Sequence, residues 1–234
     1  MYSIVDLEAT GGKFNEESII EIAIYKYDGS NVVDQFISLV NPYKDITPYV
    51  EKLTGISAKM VDTAPLFSQV AKRIIEITDN SILVAHNAQF DYRLLQIEFD
   101  RLGYEYIKES ICTVILSQRL LPNQESYKLG KLVKSLGIPL TQRHRASGDA
   151  RATVELFKLL IEKDINKEII SKNVVTYLGQ NVRPVFNKIM EDIKNETGVF
   201  YIYNHSNEII YIEASKAIKS RINRLFTSNK FIPK

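Results

Sequence analysis

Apolar and polar positions alternate with a period of two over Ser3 to Glu8, placing Ile4, Asp6 and Glu8 on one face and Val5 and Leu7 on the other. This predicts a strand with two carboxylates pointing the same way. The run Ser18 to Asp28 alternates through Ile20, Ile22 and Ile24, Asp28-Gly29 marks a turn, and Val32 to Val40 follows. Together they predict a three-stranded antiparallel meander. Phe67, Val70, Ile74 and Ile77 recur at spacings of three and four, which suits an amphipathic helix after Ala64-Pro65. Ser81 to Ala85 is short and apolar, a buried strand lying parallel to the first. A helix follows with Phe90, Leu94, Leu95, Ile97 and Leu102 inward and Gly103 as its stop. Ile111 to Ile115 reads as a further strand, Tyr127 to Leu136 as a helix ending at Gly137, and Ala150 to Glu162 as a long helix. The class expected is α/β: a mixed five-stranded sheet flanked by helices, spanning residues 1–164.

Beyond Asp164 the periodicity breaks, with Gly179 and Pro184 interrupting it, and 165–197 reads as a helical linker. A small α+β appendage over 198–234 closes the sequence. Val199 to Tyr203 and Ile209 to Glu213 are β-rich runs across Asn204-His205-Ser206-Asn207, and a helix carrying Lys216, Lys219, Arg221 and Arg224 follows. Tyr201, Tyr203 and Tyr211 are expected to pack against the sheet.

Composition narrows the class further. At 45% hydrophobic and 25% charged residues, the chain is neither disordered nor collagen-like. Its single cysteine, Cys112, forms no internal disulfide, no apolar run approaches the length of a membrane span, and the first residues resemble no export signal. A cytoplasmic protein without membrane attachment is expected. Net charge is +2, but residues 1–164 carry 19 basic and 22 acidic side chains, whereas 165–234 carry 11 and 6. The first region collects carboxylates, and the second favours phosphates or is simply a solvated basic face.

The carboxylates carry the chemistry. Asp6 and Glu8 project from the first strand, Asp91 lies just past the fourth in His86-Asn87-Ala88-Gln89-Phe90-Asp91, and Asp149 opens a helix after His144-Arg145-Ala146-Ser147-Gly148. If the fourth strand pairs with the first, all four share one cleft. Two like charges ~4 Å apart repel by ~4 kcal/mol at an effective dielectric near 20, so the set needs cations. Oxygen ligands without clustered Cys or His indicate Mg²⁺ or Mn²⁺. Two such ions clamp a phosphodiester for in-line attack by water. His144, five residues before Asp149, can serve as general base, since histidine is neutral and basic near pH 7. His86 reads as a structural residue of the loop after the fourth strand.

Ile4-Val5-Asp6-Leu7-Glu8-Ala9-Thr10-Gly11-Gly12, Val84-Ala85-His86-Asn87-Ala88-Gln89-Phe90-Asp91 and His144-Arg145-Ala146-Ser147-Gly148-Asp149 together resemble the three motifs of the DEDDh 3′–5′ exonucleases. Leu53-Thr54-Gly55-Ile56 also matches the group that includes the proofreading epsilon subunit of bacterial DNA polymerase III. The resemblance implies a ribonuclease H-like fold and release of nucleoside monophosphates from the 3′ ends of single-stranded or frayed DNA, alone or with a polymerase or repair complex. It implies that Asp6 bridges two divalent cations, that Glu8 and Asp149 hold the one activating water, that Asp91 supports the other, and that His144 is the base. Thr10, Leu53, Ile56, Asn87 and Phe90 would contact the terminal nucleotide. Two other readings keep the fold: the same site acting on RNA, and a non-catalytic module that binds nucleic acid or a partner.

Gly198-Val199-Phe200, Tyr211-Ile212-Glu213 and Arg221 bear a partial resemblance to the start of a GIY-YIG nuclease domain. Glu213 stands where that family has glycine, and no catalytic role is carried onto this segment.

Overall fold

Strand β1 (Tyr2–Ala9) pairs antiparallel with β2 (Ile19–Tyr27), which pairs antiparallel with β3 (Val32–Leu39). On its other side β1 pairs in parallel with β4 (Ile82–Ala85), and β4 in parallel with β5 (Glu109–Cys112). These are elements of a computed structural model that describes residues 1–176, 190, 192–203 and 208–227. It contains two units, Met1–Gly179 and Gln180–Lys234. The sheet of the first unit has six strands rather than five, in the order β3-β2-β1-β4-β5-β6, because β6 (Val175–Thr176) adds antiparallel to β5.

The alternation read in β1 sorts its side chains into two cores. Val5 and Leu7 join Ile22 and Ile24 of β2 under α3 (Phe67–Thr78) and α4 (Ala88–Arg101), with Val70, Ile74, Leu94 and Leu95 opposite. Ile4 joins Ala23 and Tyr25 on the other face, beneath α5 (Thr113–Leu120), α6 (Leu129–Ser135) and α7 (Ala146–Lys163). Asp6 and Glu8 continue the Ile4 row and so point to the α7 side.

Several short elements differ from the sequence reading. Helices α1 (Pro48–Thr54) and α2 (Ala58–Asp62) lie between the meander and α3, where the residue pattern predicts no element. α1 is set by local chemistry: the Thr47 hydroxyl accepts from the Val50 N–H at 3.4 Å, and Pro48 occupies the first turn. The strand expected over Ile111 to Ile115 is cut short at Cys112, because α5 begins at Thr113. The stretch after Asp164 is no linker as far as residue 176. Asp164 accepts from the backbone N–H groups of Ile169 and Ile170, at 3.3 and 2.7 Å, starting α8 (Glu168–Ser171) and burying Ile170 in the α7-side core. The remainder of the expected helical linker, including Gly179 and Pro184, falls largely outside the described residues.

In the second unit β7 (Gly198–Tyr203) and β8 (Ile209–Ser215) form an antiparallel hairpin, followed by α9 (Ile218–Thr227). Residues 204–207 and the side chain of Arg224 lie outside what the structure describes. Tyr201 and Tyr203 are not packed as expected: they stand on an exposed face, while Phe200 is buried. Glu213 accepts from Arg221 at 2.8 Å and from the Tyr211 hydroxyl at 2.5 Å, so the carboxylate engages one of the basic side chains of the helix that follows. No helix among the described residues is long and apolar enough to cross a membrane.

The α7-side core sets a clear expectation. Phe157 is fully buried with Tyr2 edge-on to it, ring centroids 4.9 Å apart. Phe157→Ala should lower the unfolding free energy of the first unit by about 3–5 kcal/mol, read from urea denaturation followed by circular dichroism.

Candidate active site

β1 and β4 pair only through Ile4 and Val84, after which the chain leaves β4 for α4. The region beyond the carboxyl ends of such parallel strands is the usual position for a ligand in these sheets. The Leu7 N–H, on the β4 side of β1, then has no strand to donate to. It donates instead to Asp91 Oδ1 at 3.0 Å, from the first turn of α4. Asp91 is 3% exposed.

From the opposite face α7 delivers Asp149 in its first turn. One oxygen each from Asp6, Glu8 and Asp149 lies within 4.8 Å of the others. Asp149 Oδ2 accepts from the His144 N–H at 3.3 Å, while its Oδ1 is buried and has no hydrogen-bond partner among the described residues. Asp91 stands outside this triad, one of its oxygens committed to β1.

The electrostatics follow from burial and from like charge. Burial pushes the Asp6 carboxyl well above the usual carboxylate range, and Asp91, Asp149, Glu8 and Glu21 push it further. Asp91 is also raised well above its ordinary value, chiefly by burial, against the pull of the Leu7 hydrogen bond. Glu8 is pushed up to about 7 by burial and by the charges of Asp149 and Glu21, with Arg145 acting the other way. Burial raises Asp149 too, and the His144 amide opposes it. A divalent cation supplies the missing charge, and the exclusively oxygen donor set fits Mg²⁺ or Mn²⁺. The triad is thus consistent with one divalent-cation site.

Sequence reasoning missed Glu21. It lies directly opposite Glu8 in the β1–β2 register, where facing like charges destabilise a sheet. Arg145 resolves the conflict, donating from Nε to both Glu21 oxygens at 3.1 Å and from a terminal nitrogen to Oε1 at 2.6 Å, while the Ala146 N–H donates to Oε2 at 2.7 Å. This pair fixes the start of α7, and with it His144 and Asp149, against β2. The signal was legible: one acid, 2% exposed, in the otherwise apolar run Ile19-Ile20-Glu21-Ile22. Gly148 completes the joint, since a Cβ there would stand 2.1 Å from the Thr141 carbonyl oxygen.

The remaining expected residues divide. Leu53 and Phe90 are each 38% exposed, and Asn87 starts α4 in a left-handed conformation with φ +79°. His144 is left-handed too, at φ +60°. Ile56, by contrast, is fully buried with Ile20, Ile46, Val50 and Val61. Thr10 is tied to Ser18: its amide donates to the Ser18 carbonyl, and its hydroxyl accepts from the Ser18 N–H. His86 bridges the Thr113 hydroxyl and the Tyr127 carbonyl, both at 2.9 Å, which holds the β4–α4 loop to α5.

A mixed sheet with acidic side chains gathered at the end of its first strand defines a nuclease class, and the comparisons agree. Residues 3–157 match the RNase T exonuclease family, and the chain belongs to that family. It is 31% identical over 96% of its length to a putative bifunctional exonuclease/endonuclease protein of Mycobacterium tuberculosis. It is also 37% identical over 77% of its length to the PolC-type DNA polymerase III of Oceanobacillus iheyensis. It spans 37% and 13% of those relatives. Among solved structures, exonuclease X in complex with 5′-overhanging duplex DNA superposes with a TM-score of 0.58 at 29% identity, over 70% of this chain and 93% of that one. The family match ends before the hairpin and lends no support to a GIY-YIG segment.

Two outcomes are expected. In the folded apoprotein Glu8 holds its proton up to about pH 7, whereas the unfolded chain releases it near the ordinary value of 4.5. Urea midpoints without metal should therefore fall as pH rises between those values, Asp6 and Asp149 acting in the same direction, and Mn²⁺ should reverse the trend. Glu21→Ala strands the Arg145 guanidinium and should lower stability by about 3–5 kcal/mol in the same measurement.

Proposed function

We propose that this chain is a divalent-cation-dependent 3′–5′ exonuclease that releases nucleoside monophosphates from the 3′ ends of single-stranded or frayed DNA, in proofreading or repair. Asp149 Oδ1 carries the reading: a buried carboxylate oxygen without a hydrogen-bond partner among the described residues, within a triad whose other members are half-buried like charges. Such an atom is costly unless a cation meets it. Family membership and the named activities of the relatives support the same conclusion.

Asp6, Glu8 and Asp149 would hold one cation, and Asp6 with Asp91 a second, the two being Mg²⁺ or Mn²⁺. When bound, such a pair polarises the phosphodiester and lowers the pKa of the attacking water. His144 takes the water's proton on a ring nitrogen, and its backbone N–H keeps it within reach of Asp149. The Glu21–Arg145 pair keeps that loop still. Leu53 and Phe90 press against the terminal base or sugar, and Asn87 bonds the 3′ end, so that the strand enters the site end first. The reading sets the enzyme in the cytoplasm, with DNA 3′ ends as its partners.

The test is product analysis on 5′-labelled and 3′-labelled oligonucleotides with Mg²⁺ or Mn²⁺. The 5′ label should yield a descending ladder and the 3′ label a mononucleotide at once. Asp6→Asn and Asp149→Asn should abolish both patterns, and His144→Ala should slow them by roughly 10²- to 10⁴-fold. Binding of DNA without cleavage in Mn²⁺ would sink the proposal in favour of a binding module. Faster digestion of a matched RNA strand would move the substrate to RNA.

A further inference from the structure

The two loops that deliver Asp91 and Asp149 lean on the same short segment, residues 127–130. From the β4–α4 side, His86 reaches the Tyr127 carbonyl at 2.9 Å. From the α7 side Arg143, next to His144, lays its guanidinium against Gly130 in the first turn of α6. A Cβ at 130 would stand 2.7 Å from the guanidinium carbon, 2.7 Å from one terminal nitrogen and 3.0 Å from Nε. Glycine is a poor helix former, and Gly130 is not left-handed, so the backbone gives no reason for it. The open side-chain position serves Arg143 instead, as a seat that alanine would close.

Arg143 is exposed, and it forms no hydrogen bond or ion pair among the described residues. Its charge nonetheless bears on the site: burial raises the Asp149 carboxyl, and the His144 amide, the His144 ring and Arg143 draw it back. Arg145 is the other arginine acting on the triad, through Glu8, and it is committed to Glu21. The loop into α7 therefore carries one guanidinium with its fork open. Such a fork fits two phosphate oxygens at once, and a strand approaching five carboxylates brings an anion with every nucleotide. In the reading above the scissile phosphate lies with the cations of the site, which leaves a neighbouring one to Arg143.

Resting on the exonuclease reading, we infer that Arg143, seated on Gly130, binds a non-scissile phosphate of the substrate strand. Steady-state digestion of a 5′-labelled oligodeoxynucleotide in Mn²⁺ at several salt concentrations tests it. Arg143→Gln should lower kcat/KM about ten- to hundred-fold and flatten the slope of its logarithm against log salt by about 0.7, whereas Arg143→Lys should keep that slope. Gly130→Ala should unfold in urea no earlier than the wild-type protein, lower kcat/KM by unseating the guanidinium, and add nothing to Arg143→Gln. Strands carrying one neutral methylphosphonate at successive linkages 5′ of the scissile bond locate the partner. At one linkage the wild-type protein should lose the same factor, and Arg143→Gln should add none. An unchanged salt slope in Arg143→Gln, full activity in Gly130→Ala, or the whole Arg143→Gln loss on every neutral strand overturns the phosphate site and leaves the exonuclease reading in place. Failure of the wild-type protein to degrade any strand overturns both.

Discussion

Five carboxylates converge on the last residues of β1, and the first unit is organised around keeping them there. At an effective dielectric near 20, each pair ~4 Å apart repels by ~4 kcal/mol, a large fraction of the total stability of a domain. Each acid is handled differently. Asp91 is satisfied by a backbone N–H that the divergence of β1 and β4 leaves over, and Glu21 is neutralised by Arg145 and capped by the Ala146 amide. Asp6, Glu8 and Asp149 keep the unbalanced charge, and they are the three that converge within a metal's reach. The protein thus ties two of the acids into the frame and leaves the other three, unpaired, within reach of one divalent cation.

The frame is made from both faces of the sheet at once. α4 approaches along the face of Val5 and Leu7, and α7 along the face of Ile4, yet the first turn of each brings an acid to the last residues of β1. Such placement requires each helix start to be located to a fraction of an ångström. The contacts that achieve this are short, polar and local to those starts: Leu7 to Asp91, Ala146 to Glu21, and the approach of Thr141 to Gly148. Apolar burial positions the helices, but these directional contacts set their register.

Much of this was legible in the sequence, for a physical reason. Strands such as β1 and helices such as α4 and α7 bury one face, so their period is imprinted on the residue pattern, and Asp6, Glu8, Asp91, His144 and Asp149 could be placed relative to it. What escaped was short or depended on pairing. α1, α2 and α8 are too brief to show a period, being set by single caps such as Thr47 and Asp164. β6 has two residues and exists only because β5 offers an edge. The burial of Ile56 escaped because sequence does not tell an exposed isoleucine from one drawn in against Ile20, Ile46 and Val50. Glu21 escaped because its meaning lies in its neighbour across the sheet.

His144 holds a backbone conformation, φ +60°, that glycine or asparagine adopts at little cost and that charges most other L-residues roughly 1 kcal/mol. Thermodynamics alone would therefore replace it. Glycine at 144 would relax that backbone and in the same stroke remove the one imidazole on the loop leading into α7, so a local conformational cost and the side chain presented beside Asp149 are bound to a single position.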